Sequence, residues 1–109
     1  MIRHCAFFRF QPDITEEQID QLLGGFVALQ DQIGGILDIT VGRNVSPGGL
    51  GRGFDHGIVM DLVNAAAVEA YLEHPLHLAH AETVVSKLEG GLAGALVFDF
   101  ERTQVDRHD

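Results

Sequence analysis

The residues best suited to chemistry lie in one ten-residue run, Tyr71 to His80, in letters YLEHPLHLAH. The run holds three of the six histidines and the single tyrosine. An imidazole can take or give a proton near neutral pH, and a phenol can hold and polarise a carbonyl oxygen. Pro75 sits among them, inside what otherwise reads as a helix, and removes a backbone donor there. A break is expected, leaving groups around it free to face a cavity. His77 heads a stripe with Ala81, Val84, Val85 and Leu88 at helical spacing. Two readings stand open for it. It is a general base or acid at a pocket mouth, or it is a core histidine bonded to a carbonyl and capping the helix after the proline. Tyr71 belongs on the same apolar side as Val68 and Leu72, and its hydroxyl needs a partner if buried. The bland alternative is an amphipathic tyrosine at a helix edge.

Other polar candidates are weaker. His4 and His56 each stand among apolar residues of a strand, where a neutral imidazole is tolerated if hydrogen-bonded. Each is near the start of its own strand, so antiparallel pairing puts them toward opposite ends of the sheet. His74 and His80 flank His77 at three residues on either side. The proline interrupts the zinc-ligand geometry, and no H-E-x-x-H or cysteine cluster accompanies it, so no metal site and no cofactor are expected. His74, just before Pro75, reads as a helix-ending residue. Ser46 and Ser86 lack a G-x-S-x-G context, and Cys5 has no marker of activation, which disfavours covalent catalysis. The glycine-rich run at 45–53, VSPGGLGRG, lacks the G-K-[ST] ending of a phosphate loop and reads as a strand-to-strand connection.

The elements that must position these residues follow from periodicity. Alternation predicts a strand over 2–10, with Ile2, His4, Ala6, Phe8 and Phe10 on one face. Thr15 and Gln18 form a capping box for a helix whose stripe runs Ile19, Leu22, Leu23, Phe26, Leu29 and Ile33, ended by Gly34 and Gly35. A second strand is predicted over 36–44 with Leu37, Ile39 and Val41 on one face. A third over 54–62 shows Phe54, His56, Ile58, Met60 and Leu62 on one face. Asn64 is a fair N-cap for the second helix, which is disturbed at Pro75 and resumes to Glu89. The last strand is predicted over 92–101 with Leu92, Leu96, Phe98 and Phe100 inward.

The order β-α-β-β-α-β gives an α+β, ferredoxin-like sandwich: a four-stranded antiparallel sheet with helices on one face. The second face is expected to carry Cys5, Phe7, Val59, Ala93, Ala95 and Val97, too apolar for water. A second copy is the expected cover, giving a homodimer, a dimeric α/β barrel. The formal charge of −9 repels phosphate backbones and anionic membranes, so neither nucleic acid nor membrane is an expected partner. One cysteine excludes an intrachain disulfide. No signal peptide or spanning segment is read, and a cytoplasmic address is expected.

Several residues together resemble the stress-responsive dimeric α/β-barrel (Dabb) family over residues 1–102, with 103–109 left as a polar tail. They are His4 and Phe10 bounding the first strand, Gly42-Arg43-Asn44 with Ser46, and Asp55-His56. The Y-x-x-H-P-x-H run at Tyr71–His77 and the closing Val97-Phe98-Asp99-Phe100 complete the set. One branch of that family cyclises linear poly-β-keto substrates by an aldol-type condensation. The resemblance implies Tyr71 and His77 as catalytic residues, His4 and His56 as substrate-binding residues, and Asp99 nearby. Alternation puts Asp99 on the face away from Leu96, Phe98 and Phe100. Other members are stress-induced oligomers without established catalysis. The leading expectation is a cofactor-free homodimer, a cyclase or isomerase of keto compounds, binding a small apolar or keto ligand. The competing one is a non-catalytic, stable stress-response oligomer or hydrophobic-ligand binder.

Overall fold

The computed structural model describes residues 1–103. The polar tail expected at 103–109 therefore lies, from residue 104 on, outside the described residues. The elements are β1 (Ile2–Phe8), α1 (Glu16–Val27), β2 (Ile36–Arg43), β3 (His56–Leu62), α2 (Ala65–Glu73), α3 (Pro75–Val85) and β4 (Ala95–Glu101). Short 3-10 turns occupy Ala28–Asp31 and Gly91–Gly94. The sheet order is β2-β3-β1-β4, every pairing antiparallel, which is the ferredoxin-like plan.

Local sequence explains most boundaries. Thr15 accepts a hydrogen bond from the Gln18 backbone and Gln18 reaches back to the Thr15 backbone, so the capping box starts α1. Asn64 Oδ1 accepts from the Ala67 backbone and starts α2. At His74 the chain turns extended, ending α2. The His74 Nδ1 then accepts from the Leu76 backbone, and Pro75 takes the first position of α3, where its missing donor costs nothing. Pro75 thus divides two helices. β1 stops at Phe8 rather than Phe10, because the chain there leaves the sheet to pair with another segment. Arg9 N donates to Gly94 O, Glu89 N to Arg9 O, and Gln11 N to Lys87 O.

The core lies between sheet and helices. Ile58, Met60 and Leu62 of β3 are wholly buried against Ile19, Leu23 and Phe26 of α1, Val68 and Tyr71 of α2, and Val84 of α3. Phe8 stacks on Phe26 with centroids 5.8 Å apart. Each such side chain contributes about 1.5–3 kcal/mol by leaving water.

Three facings differ from the periodic reading. In β2 a register shift between Ile36 and Asp38 turns Ile36 inward and leaves Leu37 exposed. A bulge adds one residue and so flips the alternation. In α2 the buried side is Ala67, Val68 and Tyr71, while Leu72 faces out. In β4 the assignment is reversed. His4 pairs with Asp99 and Ala6 with Val97, so the odd-numbered residues share the helix side. Leu96, Phe98 and Phe100 instead join Cys5 and Phe7 on the outer face, where they are 49%, 49% and 44% exposed. Bulk suggested they were core. The register puts them on the open side of the sheet, whose apolar character is stronger than expected. No helix among the described residues is long and apolar enough to cross a membrane.

Candidate functional site

Four of the residues singled out for chemistry, or suggested to lie near it, meet on the helix side of the sheet. Tyr71 comes from α2, His77 from the first turns of α3, His4 from β1 and Asp99 from β4. The break at Pro75 brings the first two together. The Tyr71 and His77 rings lie 4.3 Å apart, centroid to centroid. The His4 ring meets Tyr71 edge-on at 5.7 Å. Behind it, His4 Nδ1 and Asp99 Oδ1 are 2.5 Å apart. A carboxylate only accepts, so Nδ1 of His4 carries the proton and Nε2 is free. Asp99 needs no bulge to reach His4. It shares that face because β4 presents its odd residues inward.

Electrostatics separates the roles. Tyr71 is 1% exposed, and burial alone pushes its phenol well above the ordinary value of 10. It therefore stays a neutral O–H donor across the physiological range. His77 is half-buried, and desolvation lowers its pKa below 6.5, outweighing the opposing effect of its bond to the Leu72 backbone. That bond, 3.2 Å from His77 Nδ1 to Leu72 O, requires Nδ1–H to donate. The other nitrogen, Nε2, is left with a free lone pair on a ring held neutral. The carbonyl bond expected of a core histidine is present, and Nε2 makes no hydrogen bond among the described residues.

The other histidines are elsewhere. His56 is buried at the opposite end of the sheet, paired with Phe8 in register. Its Nε2 donates to Glu16 Oε2 at 3.1 Å, and this bond is the main cause of the lowered Glu16 pKa. Its ring packs edge-on against Phe10. His56 thus stands apart from the Tyr71 group. His80 Nε2 donates to Leu22 O at 2.7 Å, and its ring stands edge-on to Phe26 at 4.6 Å, fastening α3 to α1. His74 is the cap between α2 and α3. No cluster of three or more metal-ligating side chains occurs among the described residues.

A cavity of about 700 Å³ lies on the other side of the sheet, under the 44–55 segment. Phe7, Gly42, Gly57 and Leu96 line it, with Arg43 and Arg52. The Tyr71 group does not line it. Sequence reasoning gave no sign of this recess, since the glycines that open it sit in different strands and meet only through the sheet register.

The fold and the grouped side chains define a ferredoxin-like α+β protein with a tyrosine and two histidines collected at a helix break. The chain belongs to the Stress responsive A/B Barrel Domain family, Dabb, whose model matches residues 2–102. It is 27% identical over 104 residues to the stress-response A/B barrel domain-containing protein HS1 of Arabidopsis thaliana, covering 95% of this chain and 92% of that protein. It is 23% identical over 99 residues to olivetolic acid cyclase of Cannabis sativa, covering 91% and 94%. Among solved structures it is similar to a dimeric ferredoxin-like protein of unknown function from Jannaschia sp. CCS1. The TM-score is 0.84 at 21% identity, covering 93% of this chain and 98% of that one.

Proposed function

We propose that the protein is a cofactor-free acid–base enzyme acting on a keto compound, with His77 as general base and Tyr71 as carbonyl donor. The carrying observation is the tautomer of His77: Nδ1 is committed to Leu72 O, so Nε2 is free beside the buried phenol of Tyr71. His77 Nε2 removes a proton from the carbon next to a carbonyl, and the Tyr71 hydroxyl holds the oxygen on which charge develops. The enolate carbon then forms a bond to a second carbonyl carbon of the same chain, and the imidazolium returns its proton to the new alkoxide. One carbon–carbon bond forms by addition as a carbonyl π bond opens, and the proton taken from carbon ends on oxygen, so the step needs no redox partner. His4, oriented by Asp99, packs against Tyr71 and fixes its ring; in this reading His56 supports the fold at the other end instead of touching substrate. The similarity to a protein named for ring closure supports the cyclase class.

Two copies associate in this reading through the outer face. Its support is the exposed row Leu96, Phe98 and Phe100 and the dimeric state of the similar Jannaschia protein. A second, non-catalytic reading rests on the near-complete burial of Tyr71, which suits a filled, stable interior.

Turnover of linear poly-β-keto thioesters, followed by chromatography of the cyclised product, separates the two. The catalytic reading expects His77→Gln and Tyr71→Phe each to lower kcat/KM by about 10²–10⁴ while both variants stay folded. Turnover at the wild-type rate in both variants, or its absence throughout the series, refutes it.

A further inference from the structure

Tyr71 is closed in, and a substrate needs a way to its hydroxyl. The residue is 1% exposed. Arg9 Nε is the one fully enclosed side-chain nitrogen or oxygen without a hydrogen bond among the described residues. The Tyr71 hydroxyl has no partner there either, so some of its small exposure lies at that oxygen. The phenol is free to donate, but the opening above it is far too narrow for a keto compound. One of its neighbours must move.

Only one neighbour is built to do so. His4 stands on β1, which is hydrogen-bonded to β3 on one side and to β4 on the other. α2 is fixed by the burial of Ala67, Val68 and Tyr71 itself. α3 differs along its length. Its second half is anchored by Val84, and Leu88 just beyond it is buried equally. In its first half, Pro75 to His80, no residue is buried, and Leu76 and Leu78 are 41% and 53% exposed. Packing of an apolar face is what holds most helices in place, and this half has little. Two imidazoles hold it instead. His77 Nδ1 donates to Leu72 O at 3.2 Å, and His80 Nε2 donates to Leu22 O at 2.7 Å. Each such bond contributes only modestly to stability.

The second bond has a prepared seat. Gly25 of α1 leaves a notch for the His80 ring, since an added Cβ there would stand 2.5 Å from Nε2. Phe26 flanks the notch, edge-on to the ring at 4.6 Å. A hinge is also in place. His74 is extended, with φ −65° and ψ 132°, between two helices, and Pro75 has no N–H to tie back to α2. Hinges are commonly such element-terminal residues, which absorb a change of φ and ψ.

We propose that Pro75–His80 is a lid over Tyr71, hinged at His74 and latched by His80 in the notch of Gly25. Opening admits the substrate to the Tyr71 hydroxyl, and closing returns His77 Nε2 to the reacting carbon. His80 touches no substrate and is a positioning residue. The purpose of the lid rests on the catalytic reading above; its opening does not.

The single tyrosine makes opening measurable. N-acetylimidazole, a probe of the size of a small keto compound, acetylates the phenol in the full chain, and mass spectrometry of the Tyr71 peptide gives the rate. Wild type is expected to react far more slowly than free tyrosine. Its rate should be nearly independent of urea below the unfolding transition, because a local opening exposes little surface. His80→Ala removes the latch and Gly25→Ala fills its seat, and each should raise the rate about fivefold or more. His80→Gln keeps a donor and should fall between wild type and His80→Ala. Gly24→Ala, whose Cβ meets nothing within 4 Å, should react as wild type does. Equal rates in wild type, His80→Ala and Gly25→Ala overturn the lid, as does a urea dependence as steep as that of global unfolding. Labelling needs no turnover, so a chain that shows the latch effect yet cyclises nothing refutes the catalytic reading and leaves the lid standing.

Discussion

Two adjacent glycines of α1 are expected to respond oppositely to the same substitution. Alanine favours a helix over glycine by up to about 1 kcal/mol, and Gly24→Ala and Gly25→Ala share that gain. At Gly24 the new methyl meets nothing within 4 Å, so the variant is more stable than wild type. At Gly25 it would stand 2.5 Å from His80 Nε2 and 2.9 Å from Nδ1, so the ring must leave. The ring's departure removes the hydrogen bond to Leu22 O, worth about 0.5–1.5 kcal/mol. It also removes the edge-on contact with Phe26, worth about 0.5–1.5 kcal/mol. Gly25→Ala should therefore lie about 1–3 kcal/mol below Gly24→Ala. Urea unfolding at one fixed protein concentration measures both. In a His80→Ala background the obstruction is gone, and the two glycine variants should become equally stable. Equal stabilities in the wild-type background, or a gap that persists without the His80 ring, refute the claim that this histidine fastens α3, and with it His77, to α1.

Burial lowers the His77 pKa, so the unfolded chain binds a proton near pH 6.5 that the folded one refuses. The stability associated with this ring is full above about pH 6.5 and falls as pH drops toward the folded value. Unfolding free energies between pH 7 and 5 should show that slope, and His77→Gln should flatten it; an unchanged slope refutes the assignment. Phe98→Glu puts a charge in the middle of the exposed apolar row and should give a monomer by sedimentation equilibrium. A dimer that survives this change is held by another surface.

Much of the architecture was legible because it is set by neighbours in the chain. The capping box at Thr15 and Gln18, the cap at Asn64 and the helix division at Pro75 depend on residues within a few positions of each other, and each was readable. The alternation of β3 gave its buried face correctly, since β3 lies inside the sheet with helices over one side. His77 and Tyr71 could be singled out because the proline break is itself a local event. The opposite-end placement of His4 and His56 was also readable from antiparallel pairing.

What the sequence could not decide was which side of the sheet each edge strand presents. Alternation says that Asp99 and Phe98 face opposite ways, and nothing in it says which way is in. Hydrophobicity misled here, because a sheet with two apolar faces offers the same signal on both. Only the register His4 to Asp99 settles it, and register depends on hydrogen bonds between strands about a hundred residues apart in the chain. The same holds for the bulge in β2, for the opposed glycines that open the outer cavity, and for the His80 ring lying against Gly25. Each is a meeting of distant segments, where the contact, and not the local preference of either partner, carries the free energy.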